Sequence, residues 1–216
     1  MKKGIIFDMD GTLWDSAENV AISWEEAVKQ ELGDLRKITT EDVKSVMGRT
    51  MVQISEILFP MLGKKEALAL MDICCDAENE YLQKHGGILY PRLENTLQIL
   101  SEHYPLYIVS NCQCGYIEAF LEYYKFGKYF LDIECFGNTQ MCKGDNIALL
   151  ARRNDLDKAI YVGDIQADYE ASVQAGVEFI HASYGFGKID HEVPYIREFS
   201  ELPQVVSKVF GDTNFV

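Results

Sequence analysis

The sequence predicts an α/β fold: a doubly wound, mostly parallel sheet with a helical lobe inserted after its first strand. Three observations predict it. Short apolar runs, β-branched or aromatic, recur at 4–7, 106–110, 132–137, 159–163 and 177–182, each closed by a polar turn. Runs apolar on both faces mark buried parallel strands. Amphipathic patterns of helical period lie between most of them, at 93–103, 116–124, 145–153 and 167–175, and strands alternating with helices wind into such a sheet. Finally, the stretch 16–84 has helical periodicity and no convincing strand.

Taken in order, the first strand stops at two carboxylates in Asp8-Met9-Asp10-Gly11-Thr12. Helical patterns follow at 20–32, 41–47, 51–58 and 65–82, with Gly33, Gly48 and 60–63 as the breaks that helix ends require. This gives a core of residues 1–15 and 85–216 and a separate small lobe of residues 16–84. The second strand ends in Ser110-Asn111. Lys143 opens a later helix, and the fourth strand ends in Gly163-Asp164, with Asp168 one helical turn further on. No element is assigned beyond Ala182.

Composition narrows the function. Net charge is −14, and the only basic clusters are pairs such as Lys64-Lys65 and Arg152-Arg153. Such a chain repels nucleic acid and anionic membrane, so neither is expected as a partner. No apolar run approaches the ~20 residues of a membrane span. The N-terminus lacks the long apolar region and cleavage site of a signal peptide. The expectation is a cytoplasmic protein whose six cysteines are reduced thiols.

In open α/β sheets, ligands bind outside the carboxyl ends of the strands. Asp8 and Asp10 stand at such an end, and two close carboxylates repel unless a cation or proton separates them. Ser110-Asn111, Lys143 and Asp164 stand at other strand or helix ends. Each alone reads as an ordinary turn, solvated lysine or helix cap. Their order along the chain is what carries meaning.

That order resembles the haloacid dehalogenase-like superfamily of phosphohydrolases, whose short motifs are matched by Asp8-Met9-Asp10-Gly11-Thr12, by Ser110, by Lys143 and by Gly163-Asp164-Ile165-Gln166-Ala167-Asp168. Gly185-Phe186-Gly187 resembles the glycine pair after the last core strand, and the helical lobe falls where part of the family carries a cap. The resemblance implies a Rossmann-like core. It implies Mg²⁺ held by Asp8, the backbone carbonyl of Asp10, and Asp164. Asp8 is then the nucleophile that forms an aspartyl-phosphate, and Asp10 the general acid and base. Lys143, Ser110 and Asn111 bind the phosphoryl group. Thr12 and Asp168 support them from behind, with Asp168 holding Lys143 or a metal-bound water. The implied partner is a small phosphorylated metabolite, and the chain is expected to act as a monomer.

In the cap, Gly48, Arg49 and Thr50 break two helical patterns and are the candidate substrate contacts. Arg49 either meets a second anionic group of the substrate or caps a helix C-terminus. Trp14 and Trp24 either line the site entrance or pack cap against core. Asp10 argues against the true dehalogenases and the phosphonatases of the family. Thr12 and Met47-Gly48 favour hydrolysis over the sugar-phosphate mutases typified by β-phosphoglucomutase. The rival of another class is a non-catalytic phosphate-binding regulator.

Overall fold

The computed structural model describes residues 1–213. The chain opens with β1 (Lys3–Phe7) and the short β2 (Trp14–Asp15), then runs through α1 (Ala17–Leu32), α2 (Thr40–Val46), α3 (Met51–Leu58) and α4 (Lys64–His85). It continues as β3 (Ile88–Leu89), α5 (Leu93–Ser101), β4 (Leu106–Ser110), α6 (Tyr116–Tyr124), β5 (Phe130–Cys135), α7 (Phe136–Thr139) and α8 (Lys143–Arg153). Then come β6 (Lys158–Gly163), α9 (Gln166–Ala175), β7 (Glu178–Ala182), β8 (Tyr195–Ile196) and α10 (Leu202–Phe210).

Six strands form one sheet in the order β5-β4-β1-β6-β7-β8. Every pairing in it is parallel. The order reverses direction at β1, so the ends of β1 and β6 flank the crevice where such sheets bind ligands. Alternation of side chains explains the layers. Ile6, Tyr107, Val109 and Tyr161 face one way and pack on α8 and α9 through Ile147, Leu150 and Ala171. Ile5, Phe7, Ile108 and Val162 face the other way, toward α5, α6 and α10.

That second cluster runs without a break into the inserted helices. Val20, Trp24 and Val28 recur every fourth residue along α1, the spacing that lines one helix face. Capping boxes start α2 at Thr39 and α3 at Thr50. The two crossings between insertion and sheet are joined where Trp14 and Asp15 of β2 pair with Leu89 and Ile88 of β3.

Several sequence expectations shift. The third strand, expected over 132–137, is β5 at Phe130–Cys135, and Phe136 already begins α7. The strand lies at the sheet edge and is not buried on both faces: Leu131 is 70% exposed. Exposure of one face interrupts the buried run, so the strand begins two residues before the expected start. The β2–β3 pair is too short for any periodicity to show. Beyond Ala182 the chain adds β8 and α10, in which Leu202, Val206 and Phe210 repeat at helical spacing and are buried.

Candidate active site

Asp8 follows the last residue of β1, and its backbone N–H donates to Val162 O on β6 at 2.9 Å. Asp164 follows β6 on the neighbouring strand. Lys143 begins α8 and reaches up between them. Its Nζ donates to Asp8 Oδ1 at 2.9 Å and to Asp168 Oδ1 at 2.6 Å, with all three side chains buried. The other oxygen of Asp168 accepts the backbone N–H groups of Asp164 and Ile165 at 3.0 and 3.2 Å. Both Asp168 oxygens are thus engaged, and the residue fixes Lys143 and the turn after β6.

Asp164 is held differently. Its Oδ2 accepts the Phe186 N–H at 2.6 Å, while its Oδ1 is buried with no hydrogen-bond partner among the described residues. A buried oxygen left free in this way is costly unless something else ligates it. Gly11 packs directly on this carboxylate with φ at 83°, and a Cβ there would overlap it. Only glycine gives both that backbone angle and that approach.

Carboxylate oxygens of Asp8, Asp164 and Asp168 all come within 4.8 Å of one another. Burial, then the Asp168 carboxylate, pushes Asp8 up to about 7 against the pull of Lys143. Burial, Asp168 and Asp8 together push Asp164 up to about 8. Burial works to discharge Lys143, but Asp168 and Asp8 outweigh it and hold the ammonium charged. Three acids thus share one ammonium. With the free oxygen on Asp164, this hard-oxygen cluster fits a cation held by Asp8 and Asp164.

Such raised acids have a consequence for stability. An acid whose folded pKa lies above its unfolded value stabilises the fold below the unfolded pKa, and the effect is lost as pH rises through the folded value. The metal-free protein should therefore lose thermal stability as pH rises through about 7 to 8, the values reached by Asp8 and Asp164. A divalent cation should restore it, more at pH 8.5 than at pH 6. Melting curves across pH, with and without metal, check this. A cation-induced shift independent of pH contradicts it.

Asp10 stands apart from this cluster. Its Oδ1 accepts from Ser16 Oγ at 2.6 Å and from Tyr116 OH at 2.7 Å, and Ser16 and Tyr116 contact each other at 2.8 Å. Burial raises its pKa against those two hydrogen bonds. With Oδ1 fixed, Oδ2 is the oxygen left to carry a proton.

Asp8, Asp10, Ser110, Asn111, Gly48 and Arg49 line one cavity between the sheet ends and the inserted helices. Asn111 Nδ2 donates to Gly48 O at 2.9 Å across it. Gly48 has φ at 79°, and a Cβ there would overlap the Ile165 side chain, so the insertion lies directly against the turn after β6 here. Arg49 is exposed at the edge of the cavity, with no ion-pair partner among the described residues. Thr50 is not part of the lining; its Oγ1 accepts Gln53 N–H and caps α3. Thr12 is fully buried beneath the Asp8–Asp10 turn, its carbonyl accepting Tyr184 OH at 2.8 Å. Trp24 lines the cavity, whereas Trp14 is buried edge-on against Tyr116, Phe120 and Tyr124.

The sequence reading missed Ser16, Tyr116 and Glu78. Ser16 was detectable as a residue before a helix, but nothing in its neighbours linked it to Asp10. Tyr116 and Glu78 reach the cavity from α6 and α4, distant in sequence, and carry no local signal.

The sequence model of the family described as haloacid dehalogenase-like hydrolase matches residues 5–182. The chain belongs to this family. It is 30% identical over 225 residues to a phosphoglycolate phosphatase of Photobacterium profundum, covering 94% of this chain and 95% of that one. It is 28% identical over 198 residues to a phosphoglycolate phosphatase of Aquifex aeolicus, covering 88% and 89%. A haloacid dehalogenase-like family hydrolase of Streptococcus pneumoniae shares the fold with a TM-score of 0.80 at 20% identity, over 95% and 98% of the two chains. Among the described residues, no helix is long and apolar enough to cross a membrane.

Proposed function

We propose that the protein is a Mg²⁺-dependent phosphatase that hydrolyses a small phosphate monoester through a phosphoryl group carried on Asp8. The observation that supports this most is the pairing of Asp8 and Asp164 at adjacent strand ends, with Lys143 between them and one Asp164 oxygen free. The phosphoglycolate phosphatases among the relatives point to the same class. Asp8, Asp164 and the Asp10 backbone carbonyl would hold Mg²⁺, which when bound offsets the repulsion between an anionic nucleophile and an anionic ester.

An oxygen of Asp8 bonds to phosphorus as the bond to the alcohol oxygen breaks. Asp10 gives its proton to the departing alkoxide. Asp10 then takes a proton from water, whose oxygen bonds to phosphorus while the bond to Asp8 breaks and phosphate leaves. Lys143, the Ser110 hydroxyl and the Asn111 backbone N–H hold the phosphoryl oxygens. Thr12 supports the Asp8–Asp10 turn.

Residues 1–15 and 85–216 form the catalytic core in this proposal, and residues 16–84 a cap. The cavity lies between the two, which places the cap to open for substrate and to close over it, excluding water from the leaving group. The enzyme acts as a cytoplasmic monomer, and neither nucleic acid nor membrane is its partner.

Hydrolysis of p-nitrophenyl phosphate, with and without Mg²⁺, tests the reading. It expects turnover that needs Mg²⁺ and that chelation removes. Equal rates in both conditions, or no turnover in either, contradict it.

Arg49 at the cavity edge would meet a second anionic group on the substrate, with Gly48 giving it room. Arg49→Ala should then lower kcat/KM for esters bearing such a group by roughly 10-fold or more, the scale of one charge-assisted hydrogen bond. Turnover of p-nitrophenyl phosphate should fall much less. Parallel loss of both substrates would make Arg49 a support of the cap instead.

A further inference from the structure

The cavity carries polar atoms that this hydrolysis does not use. Glu78 on α4 lines it and is 3% exposed, with Oε2 accepting Trp24 Nε1–H at 2.8 Å. Gln113 and Asn111 line it too. Gln113 Nε2 donates to Asn79 Oδ1 at 3.0 Å, and Asn79 Nδ2 donates to the backbone carbonyl of Cys114 at 2.9 Å. Asn111 Nδ2 donates to the backbone carbonyl of Gly48. Backbone carbonyls only accept, so these chains fix which end of each amide is oxygen. The remaining atoms, Gln113 Oε1 and Asn111 Oδ1, are both buried and have no donor among the described residues.

Two buried acceptors without donors in one cavity are unusual, because folded chains satisfy nearly all such atoms. Val20, Val43, Val46 and Met47 in the same wall are apolar, the Tyr116 hydroxyl is taken up by Asp10 and Ser16, and the Trp24 Nε1–H by Glu78.

We propose that the alcohol half of the substrate is a small polyol, whose hydroxyl groups donate to Gln113 Oε1, Asn111 Oδ1 and Glu78. This rests on the phosphatase reading and narrows it. A plain alkyl chain supplies no donor and leaves the acceptors unpaired. A carboxylate at that place supplies none either. Arg49 is not in conflict, since it lies at the exposed edge while these acceptors are buried.

Glycerol 3-phosphate and n-propyl phosphate have nearly the same size and differ by two hydroxyls. Wild-type kcat/KM should favour the glycerol ester by roughly 100-fold, because a site that hydrogen-bonds hydroxyls strongly rejects analogues lacking them. Gln113→Met keeps length but removes the acceptor, and should pull that ratio toward one. Glu78→Gln keeps an acceptor for Trp24 Nε1–H and for a hydroxyl, and should retain most of the preference. Hydrolysis of both esters at similar kcat/KM by the wild type overturns the polyol assignment and leaves the phosphatase reading standing. A full preference retained in Gln113→Met overturns the assignment to Gln113. Failure to cleave these esters and p-nitrophenyl phosphate alike overturns both readings.

Discussion

Asp8→Asn lowers turnover by roughly 10⁴-fold or more, the scale on which removal of a covalent nucleophile acts. The amide is not a nucleophile toward phosphorus, and the cation loses one of its charged ligands. The fold survives. The substitution takes one acid out of a buried cluster in which three carboxylates share a single ammonium, and Lys143 keeps Asp168 as a partner. The metal-free variant should melt higher than the metal-free wild type by a few degrees, since ~1 kcal/mol moves a domain of this size by about 2–4 °C. The gain should be larger at pH 8.5 than at pH 5, because Asp8 stays protonated in the wild type until about 7. Activity within about tenfold of wild type would remove Asp8 from the nucleophile's role, and a lower melting temperature would refute the crowding of the cluster.

Asp10→Asn fails in another way. Its backbone carbonyl is unchanged, so cation affinity should fall only modestly. What is lost is proton transfer, worth roughly 10²–10⁴-fold. The loss should be large for an alkyl phosphate, whose alkoxide leaves badly without a proton. It should be much smaller for p-nitrophenyl phosphate, whose leaving group needs little protonation. Equal losses on the two esters would remove Asp10 from the acid's role. The same comparison reports on Tyr116 and Ser16, whose hydroxyls both donate to Asp10 Oδ1 and not to Oδ2.

How much of this was legible in the sequence depends on distance along the chain. Residues at strand ends were readable because a buried strand in α/β order places its last residue at the crevice. That rule puts Asp8, Ser110 and Asp164 along one edge of the sheet, while their roles needed their order along the chain and the family resemblance; β4 lies where its apolar run predicts, at Leu106–Ser110. Lys143 and Asp168 needed the family resemblance to become a pair, since 25 positions separate two residues that meet at 2.6 Å. Glu78, Tyr116 and Gln113 were invisible. Glu78 and Tyr116 are brought to the cavity by the packing of α4 against α6, which leaves no motif, and Gln113 by the loop between β4 and α6. The edge strand β5 was misplaced because exposure on one face broke the apolar run by which strands were recognised. Thr50 was read as a substrate contact from its place in a helix break, and the same break explains why it caps α3.

Trapping the phosphorylated chain tests the central claim most directly. The enzyme with Mg²⁺ and p-nitrophenyl phosphate is quenched in mid-turnover with borohydride, which reduces an acyl phosphate to the alcohol, and the digested peptides are weighed. The account predicts a homoserine at position 8, dependent on substrate and on Mg²⁺, and no reduced carboxylate elsewhere. Active turnover with an unmodified Asp8, or with the reduced carboxylate at Asp10 or Asp164, would contradict it.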